Sequence, residues 1–271
     1  MAPQKIKLIA TDVDGTLVKE SSPAITDEQI SLFQKLTDKG VTIAAASGRQ
    51  FGSVSKVFAP VERELCYIVE NGALIKKGNT VIHKVSMERQ YVEGIMQDLR
   101  KLYDKGCHAL VSTPGGSFVE SKDEDFIRLL REGYRNDVTE VLDVLSLDAD
   151  IIKIAVYKKG SIEQIGRQIL LPQWKDRVKA TLAGAEWVDF MDATVDKGNG
   201  LRLLMEHLSV RPEETMAFGD NENDLGLMQA AGESYAVGNA VETVKRAAKH
   251  VCPPYWEDGV SSVLRKVLES C

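Results

Sequence analysis

Apolar positions along the chain follow two alternating rhythms. Short, largely apolar runs at Ile6–Ala10, Val41–Ala46, Ile151–Tyr157 and Thr215–Phe218 read as buried strands. Between them, apolar residues recur at helical spacing. Thr26 opens a helix, with Gln29 three residues on as a capping box requires, and Ile30, Leu32, Phe33 and Leu36 form its apolar face. Gly40 supplies the stop. Strand, helix and strand over residues 6–46 make a β-α-β unit, which predicts parallel strands joined by a right-handed crossover. The same style returns near the end. Gly200–His207 reads as helix, with Leu201, Leu204 and Leu208 on one face. Thr215–Phe218 and Ser234–Val237 read as strands, and Val260–Leu268 as a closing amphipathic helix.

The middle has its own pattern. Gly78-Asn79 punctuates a hairpin over Ala73–Ile82, and Met87–Tyr103 reads as a long helix. A strand at Ile151–Tyr157 precedes a helix at Ile162–Leu171 and strands at Val178–Leu182 and Trp187–Met191. Residues 84–192 are therefore expected to form a second α/β domain inserted into a first one made of residues 1–83 and 193–271. A length of 271 residues suits two domains of about 150 residues each.

Composition narrows the class. With 44% apolar and 27% charged residues the chain folds rather than staying disordered. The balance of 34 Lys and Arg against 40 Asp and Glu gives −6, which argues against a nucleic-acid partner but leaves a local anion site open. No apolar run reaches the roughly 18 residues of a membrane helix. The apolar stretch within Met1–Ala10 is short and is cut off by Asp12, so it is not a signal peptide, and the expected location is the cytoplasm. Cys66, Cys107, Cys252 and Cys271 form no C-x-x-C pair; free thiols are expected, and no cysteine zinc site.

Two acidic turns carry the candidate chemistry. Asp12-Val13-Asp14-Gly15-Thr16 follows the first strand, where open parallel sheets bind ligands. Gly219-Asp220-Asn221-Glu222-Asn223-Asp224 follows another, and a helix starting there carries Asp220 and Asp224 toward one point. Taken singly, each also reads as an ordinary turn or helix cap. Neither is a calcium loop, since Leu17 and Leu225 stand where its glycine belongs. Together they gather carboxylates at one sheet edge, which is costly without a cation, and oxygen ligands favour magnesium over zinc. Ser47-Gly48-Arg49 can offer a hydroxyl and backbone N–H groups to an anion, or can be a plain strand-to-helix turn. Lys197 can neutralise a phosphate or a carboxylate, or lie solvated on the surface.

In this order the pieces resemble the haloacid dehalogenase-like phosphatase superfamily, in its Cof-type branch with a large α/β cap (subclass IIB). The matching motifs are Asp12-Val-Asp14-Gly-Thr-Leu17, Ser47-Gly48-Arg49, Lys197 and Gly219-Asp220-Asn221-Glu222-Asn223-Asp224. Asn71-Gly72-Ala73, Gly238-Asn239-Ala240 and Glu257-Asp258-Gly259-Val260 match further segments of the branch. Thr11, Thr194 and Trp256 depart from its usual residues without removing a catalytic group. The resemblance implies a Rossmann-like doubly wound parallel-sheet core with an inserted α/β cap. It implies a Mg2+-dependent phosphatase of small phosphorylated metabolites, sugar phosphates or pyridoxal phosphate, existing as a monomer or weak homo-oligomer. Asp12 is then the nucleophile, Asp14 the acid and base, and Lys197 and Ser47 hold the phosphoryl oxygens, with Gly48, Arg49 and Asn223 beside them. Asp12, the Asp14 carbonyl and Asp220 hold the metal, supported by Asp224. A sugar phosphomutase would share these motifs, and a non-catalytic metabolite-binding regulator would share the fold.

Other features read as structural. His83, His108, His207 and His250 are scattered, and Gly198-Asn199-Gly200 lacks the third glycine of a dinucleotide loop. Glu120–Asp125 reads as a solvated helix start, and Gly115-Gly116 as a hairpin turn or else a substrate loop over the active site.

Overall fold

Two sheets organise the chain in the computed structural model, which describes residues 5–19 and 22–270. Met1–Gln4, at the start of the N-terminal stretch considered above, and Cys271 lie outside the described residues. Contacts divide the chain into one unit of residues 1–83 and 196–271 and a second of residues 84–195.

The first unit holds strands β1 (Leu8–Asp12), β2 (Thr42–Ala46), β3 (Cys66–Val69), β4 (Leu74–Lys77) and β5 (Thr80–Lys84) from its first segment. Lys84, the last residue of β5, already belongs to the second unit. Helices α1 (Asp27–Asp38) and α2 (Phe51–Val57) connect the early strands. The second unit supplies α3 (Arg89–Arg100), β6 (Cys107–Thr113), β7 (Gly116–Val119), α4 (Glu124–Arg128), β8 (Val138–Glu140), β9 (Lys153–Lys158), α5 (Glu163–Ile165), α6 (Leu171–Trp174), β10 (Lys179–Leu182) and β11 (Trp187–Met191). The chain then returns to the first unit with α7 (Lys197–Leu208), β12 (Thr215–Gly219), α8 (Leu225–Ala230), β13 (Glu233–Val237), α9 (Glu242–Ala247), β14 (His250–Cys252) and α10 (Gly259–Ser270).

The eight strands of the first unit lie in the order β14-β13-β12-β1-β2-β3-β4-β5. β1 is parallel to both neighbours, Leu8 facing Thr42 on one side and Thr215 on the other. From β1 the early strands run one way across the sheet and the late strands run the other. β1 is therefore the switch point, where the loops leaving the strand ends diverge and open a crevice. Leu8, Ile9 and Ala10 are fully buried, as a central parallel strand requires. α1 has the expected cap: Gln29 N–H donates to Thr26 Oγ1, and Thr26 N–H to Gln29 Oε1. It packs beside α10, while α7 packs beside α8.

The second unit carries the sheet β10-β11-β9-β6-β7-β8. Its strands alternate as a sheet covered on both faces must. Ile154 and Val156 pack with Val92, Ile95 and Leu99 of α3, while Ala155 and Tyr157 pack with Phe126 and Leu130. Gly115 falls in the turn between β6 and β7, where Thr113 pairs with Gly116.

Several boundaries differ from expectation, each for a physical reason. β1 runs on through Asp12, so that carboxylate is the last residue of the strand. α7 starts at Lys197 because the Asp196 side chain accepts from Asn199 N–H and caps it. α3 stops at Arg100; a tight turn follows and ends on Gly106 at φ +75°. The helix expected over Ile162–Leu171 is interrupted by a π turn at Gly166–Leu170, just before Pro172, whose ring and missing N–H do not fit a regular ladder. Glu120 is not solvated: it accepts from the Tyr103 hydroxyl at 2.9 Å, from Val144 N–H at 2.9 Å and from Arg100. Cys66, Cys107 and Cys252 are buried free thiols. Among the described residues no helix is long and apolar enough to cross a membrane.

Candidate active site

The crevice at the end of β1 is built by the turn after Asp12. Gly15 sits at φ +84°, and a Cβ there would lie 2.6 Å from Asp220 Oδ2, so only glycine lets the two acidic turns approach. Leu17 and Val18 N–H groups return to the Val13 carbonyl and close the turn. Thr11 is buried, and its hydroxyl donates to the Asp12 carbonyl at 2.7 Å. The unusual residue before the first aspartate thus braces the strand end.

Beneath this turn lies a buried charge cluster. Lys197 Nζ donates to Asp12 Oδ1 at 2.6 Å and to Asp224 Oδ1 at 2.7 Å, with its side chain 1% exposed. The solvated alternative for Lys197 therefore falls. Asp224 Oδ2 accepts the N–H groups of Asp220 and Asn221 at 3.0 and 3.2 Å, which fixes the second acidic turn onto the lysine. Thr16 Oγ1 donates to Asp220 Oδ1 at 3.1 Å.

Asp12, Asp220 and Asp224 each bring one oxygen within 4.8 Å of the others. Burial holds the Asp12 carboxyl well above its usual range, helped by the neighbouring Asp224 charge and opposed by Lys197. Burial and Asp224 likewise raise Asp220. Burial alone would lower the Lys197 ammonium, but the Asp12 and Asp224 carboxylates more than offset it and the net shift is upward. Asp12 Oδ2 is buried and has no hydrogen-bond partner among the described residues. An orphaned carboxylate oxygen beside a second carboxylate is the donor set a hard divalent cation fits, so the residues present suit magnesium.

The opposite wall is the turn after β2. Ser47 N–H donates to the Ile68 carbonyl, and Arg49 N–H donates to Ser47 Oγ at 3.1 Å. The Arg49 guanidinium spans Ser53 Oγ and Asp14 Oδ1, the latter at 3.4 Å. Asp12, Asp14, Gly15, Ser47, Gly48, Arg49, Asp220, Asn221 and Asn223 line a cleft of about 320 Å³. Lys197 and Asp224 lie under it rather than on its wall. The fold thus brings all nine residues singled out above to one strand edge, in two layers.

It also recruits residues to which the sequence attached no role. Asn239 Nδ2 donates to the Gly15 carbonyl at 2.7 Å and its Oδ1 accepts from Tyr255 N–H, clamping the first turn. Asn71 Oδ1 accepts from Asn223 Nδ2 at 3.2 Å. Both belong to segments visible in the sequence, but an asparagine in a turn has no distinctive spacing. Among the described residues no histidine lines the cleft.

Known proteins offer a comparison. A family model described as haloacid dehalogenase-like hydrolase matches residues 9–264. A crystal structure from Eubacterium rectale is 39% identical and superposes with a TM-score of 0.88 over 96% of this chain and 98% of its own. The 5-amino-6-(5-phospho-D-ribitylamino)uracil phosphatase of Escherichia coli is 24% identical, covering 97% of both chains. The phosphoglycolate phosphatase of Methanopyrus kandleri is 26% identical, again over 97% of both.

Proposed function

Because the chain belongs to the haloacid dehalogenase-like hydrolase family and is an enzyme of phosphatase type, we propose that it hydrolyses small phosphate monoesters through an aspartyl-phosphate on Asp12, with Mg2+ as cofactor. One observation carries this reading. At the head of the cleft a buried carboxylate keeps one oxygen on Lys197 at 2.6 Å and leaves the other without a protein partner.

The chain's own groups define the chemistry. An Asp12 oxygen attacks phosphorus as the bond to the leaving oxygen breaks, and Asp14 gives that oxygen a proton. Asp14 then takes a proton from the water that attacks the phosphorylated Asp12, releasing phosphate and restoring both carboxyls. Arg49 orients Asp14, while the Ser47 hydroxyl and the Gly48 turn face the phosphoryl oxygens. Lys197 fixes Asp12 and, through Asp224, the loop bearing Asp220. Asp12, Asp220 and the Asp14 carbonyl, with Asp224 beside them, would hold magnesium, which would supply positive charge against the approach of one anion to another.

Two relatives are named for phosphatases of a phosphorylated ribitylaminouracil and of phosphoglycolate, both small monoesters. Sugar phosphates and pyridoxal phosphate are the substrates to try first. Among the described residues no apolar or aromatic side chain lines the cleft, so we assign choice of leaving group to the inserted unit acting as a cap. The buried free thiols favour a reducing cytoplasm, and we expect a monomer or weak homo-oligomer.

The test is phosphate release from a panel of sugar phosphates, nucleotides and pyridoxal phosphate, with Mg2+, with chelator, and with Asp12→Asn. Release that requires both metal and Asp12 is expected. Transfer only between sugar phosphates would favour a mutase; binding without turnover would favour a regulator. Either overturns the reading.

A further inference from the structure

The turn at residues 70–72 holds two consecutive non-glycine residues in the left-handed region, Glu70 at φ +51° and Asn71 at φ +56°. Such residues are uncommon singly and costly in a pair, and they persist where surrounding structure demands them. Here three pieces of the site meet. Asn71 N–H donates to the Ser47 carbonyl at 3.0 Å and Glu70 N–H to the Arg49 carbonyl at 3.1 Å. The Asn71 amide accepts from Asn223 at 3.2 Å. A Cβ on Gly48 would stand 2.9 Å from Asn71 Oδ1, and one on Gly72 would stand 2.3 Å from the carbonyl of Asp196, the residue that caps α7 just before Lys197.

Glycine at position 71 would satisfy the backbone without strain, so an asparagine there points to use of its amide. Asn71 does not line the cleft. We propose that Asn71 is a positioning residue for the phosphate-binding wall: its backbone holds the Ser47–Arg49 turn, and its side chain ties that turn to Asn223 on the second acidic loop. The two walls that must close on one phosphoryl group are thereby kept at a fixed separation. The inference rests on the phosphatase reading, and its effect should fall on phosphate affinity rather than on the chemical step.

Asn71→Gly keeps the left-handed turn and removes only the amide. With p-nitrophenyl phosphate, and inorganic phosphate as product inhibitor, we expect KM and the phosphate Ki to rise about 5-fold, the loss of roughly one hydrogen bond, with kcat within about 3-fold and Tm unchanged. Asn223→Ala, at an exposed position, should raise the same constants, and the double variant should do no more than the larger single. Unchanged Ki in Asn223→Ala, strict additivity, or a loss confined to kcat would overturn the proposal. If the wild type releases no phosphate, the functional reading fails instead, and calorimetry of inorganic phosphate with Mg2+ still tests Asn71 against the same 5-fold expectation.

Discussion

Replacing Asp12 by Asn separates what the buried carboxylate does for turnover from what it costs the fold. In the metal-free protein Asp12 faces Asp220 and Asp224 with oxygens no more than 4.8 Å apart. At an effective dielectric of about 20, each such pair repels by at least about 3.5 kcal/mol. Its one attraction, to Lys197 at 2.6 Å, is worth about 6 kcal/mol on the same scale. These nearly cancel, which leaves the desolvation of a buried anion uncompensated, a penalty of several kcal/mol. The raised Asp12 carboxyl has the same sign: ionised Asp12 subtracts stability as pH rises above its unfolded value of about 3.9. The amide has no charge to desolvate, though it weakens the contact with Lys197. Asp12→Asn should therefore stabilise the chelated protein at pH 7 by about 1–3 kcal/mol, raising Tm by about 2–4 °C per kcal/mol, while turnover falls by at least about 10⁴-fold. Saturating Mg2+ should raise the wild-type Tm and leave the variant nearly unmoved. Scanning calorimetry in chelator and in Mg2+, beside a phosphate-release assay, reads all of this. A lower Tm for the variant in chelator would refute the electrostatic reasoning, because Asp12 would then be a net stabiliser of the empty site.

Lys197→Met should do the reverse, stranding two buried carboxylates at a cost of about 3–5 kcal/mol, seen in urea unfolding. In the wild type the raised Lys197 ammonium keeps that contribution intact up to about pH 10.4 and loses it only above, as pH passes its folded value. Glu120, held below the usual range mainly because hydrogen bonds from Arg100, Val144 N–H and Tyr103 overcome its burial, should add stability above about pH 4.3 that disappears as pH falls through its folded value. Glu120→Gln should flatten that acid limb and cost about 1–3 kcal/mol, followed by fluorescence of Trp174 and Trp187. Gly198→Ala should cost about 1–3 kcal/mol and lower kcat, because the new Cβ would meet the Gly226 carbonyl at 2.3 Å beside Lys197; a normal melting curve with normal kcat would contradict this.

Legibility followed the range of the interactions. The Thr26–Gln29 cap and the buried strand after α1 depend on neighbours a few residues away, and the pattern shows them. Elements whose signal is weak locally escaped it: β3, β6 and β14 are strands because the sheet completes them. The π turn before Pro172 and the burial of Glu120 arise from packing on residues distant in sequence. Gly198 illustrates the difference at the site. In the sequence it reads as a chance fragment of a nucleotide loop that lacks its third glycine; in the fold it is glycine because the Gly226 backbone leaves no room for a side chain.

The sequence by itself determined the inventory and its order: two acidic turns after strands, a serine-glycine-arginine turn, a lysine just ahead of a helix, and an inserted α/β segment. Those are local chemistry and periodicity, written residue by residue. Only the tertiary structure decided which groups meet. Residue 16 touches residue 220 because parallel pairing of β1 with β12 sets two strand ends side by side, and residue 12 touches residue 197 because α7, packed against β3 and α8, brings its first residue to the end of β1. Packing of these elements buries Lys197 and Asp224 beneath the cleft and leaves one Asp12 oxygen without a partner among the described residues, while the turns after β3 and β13 bring in Asn71 and Asn239. Such contacts join residues far apart along the chain, and their strength comes from exclusion of water, which no single segment can achieve alone.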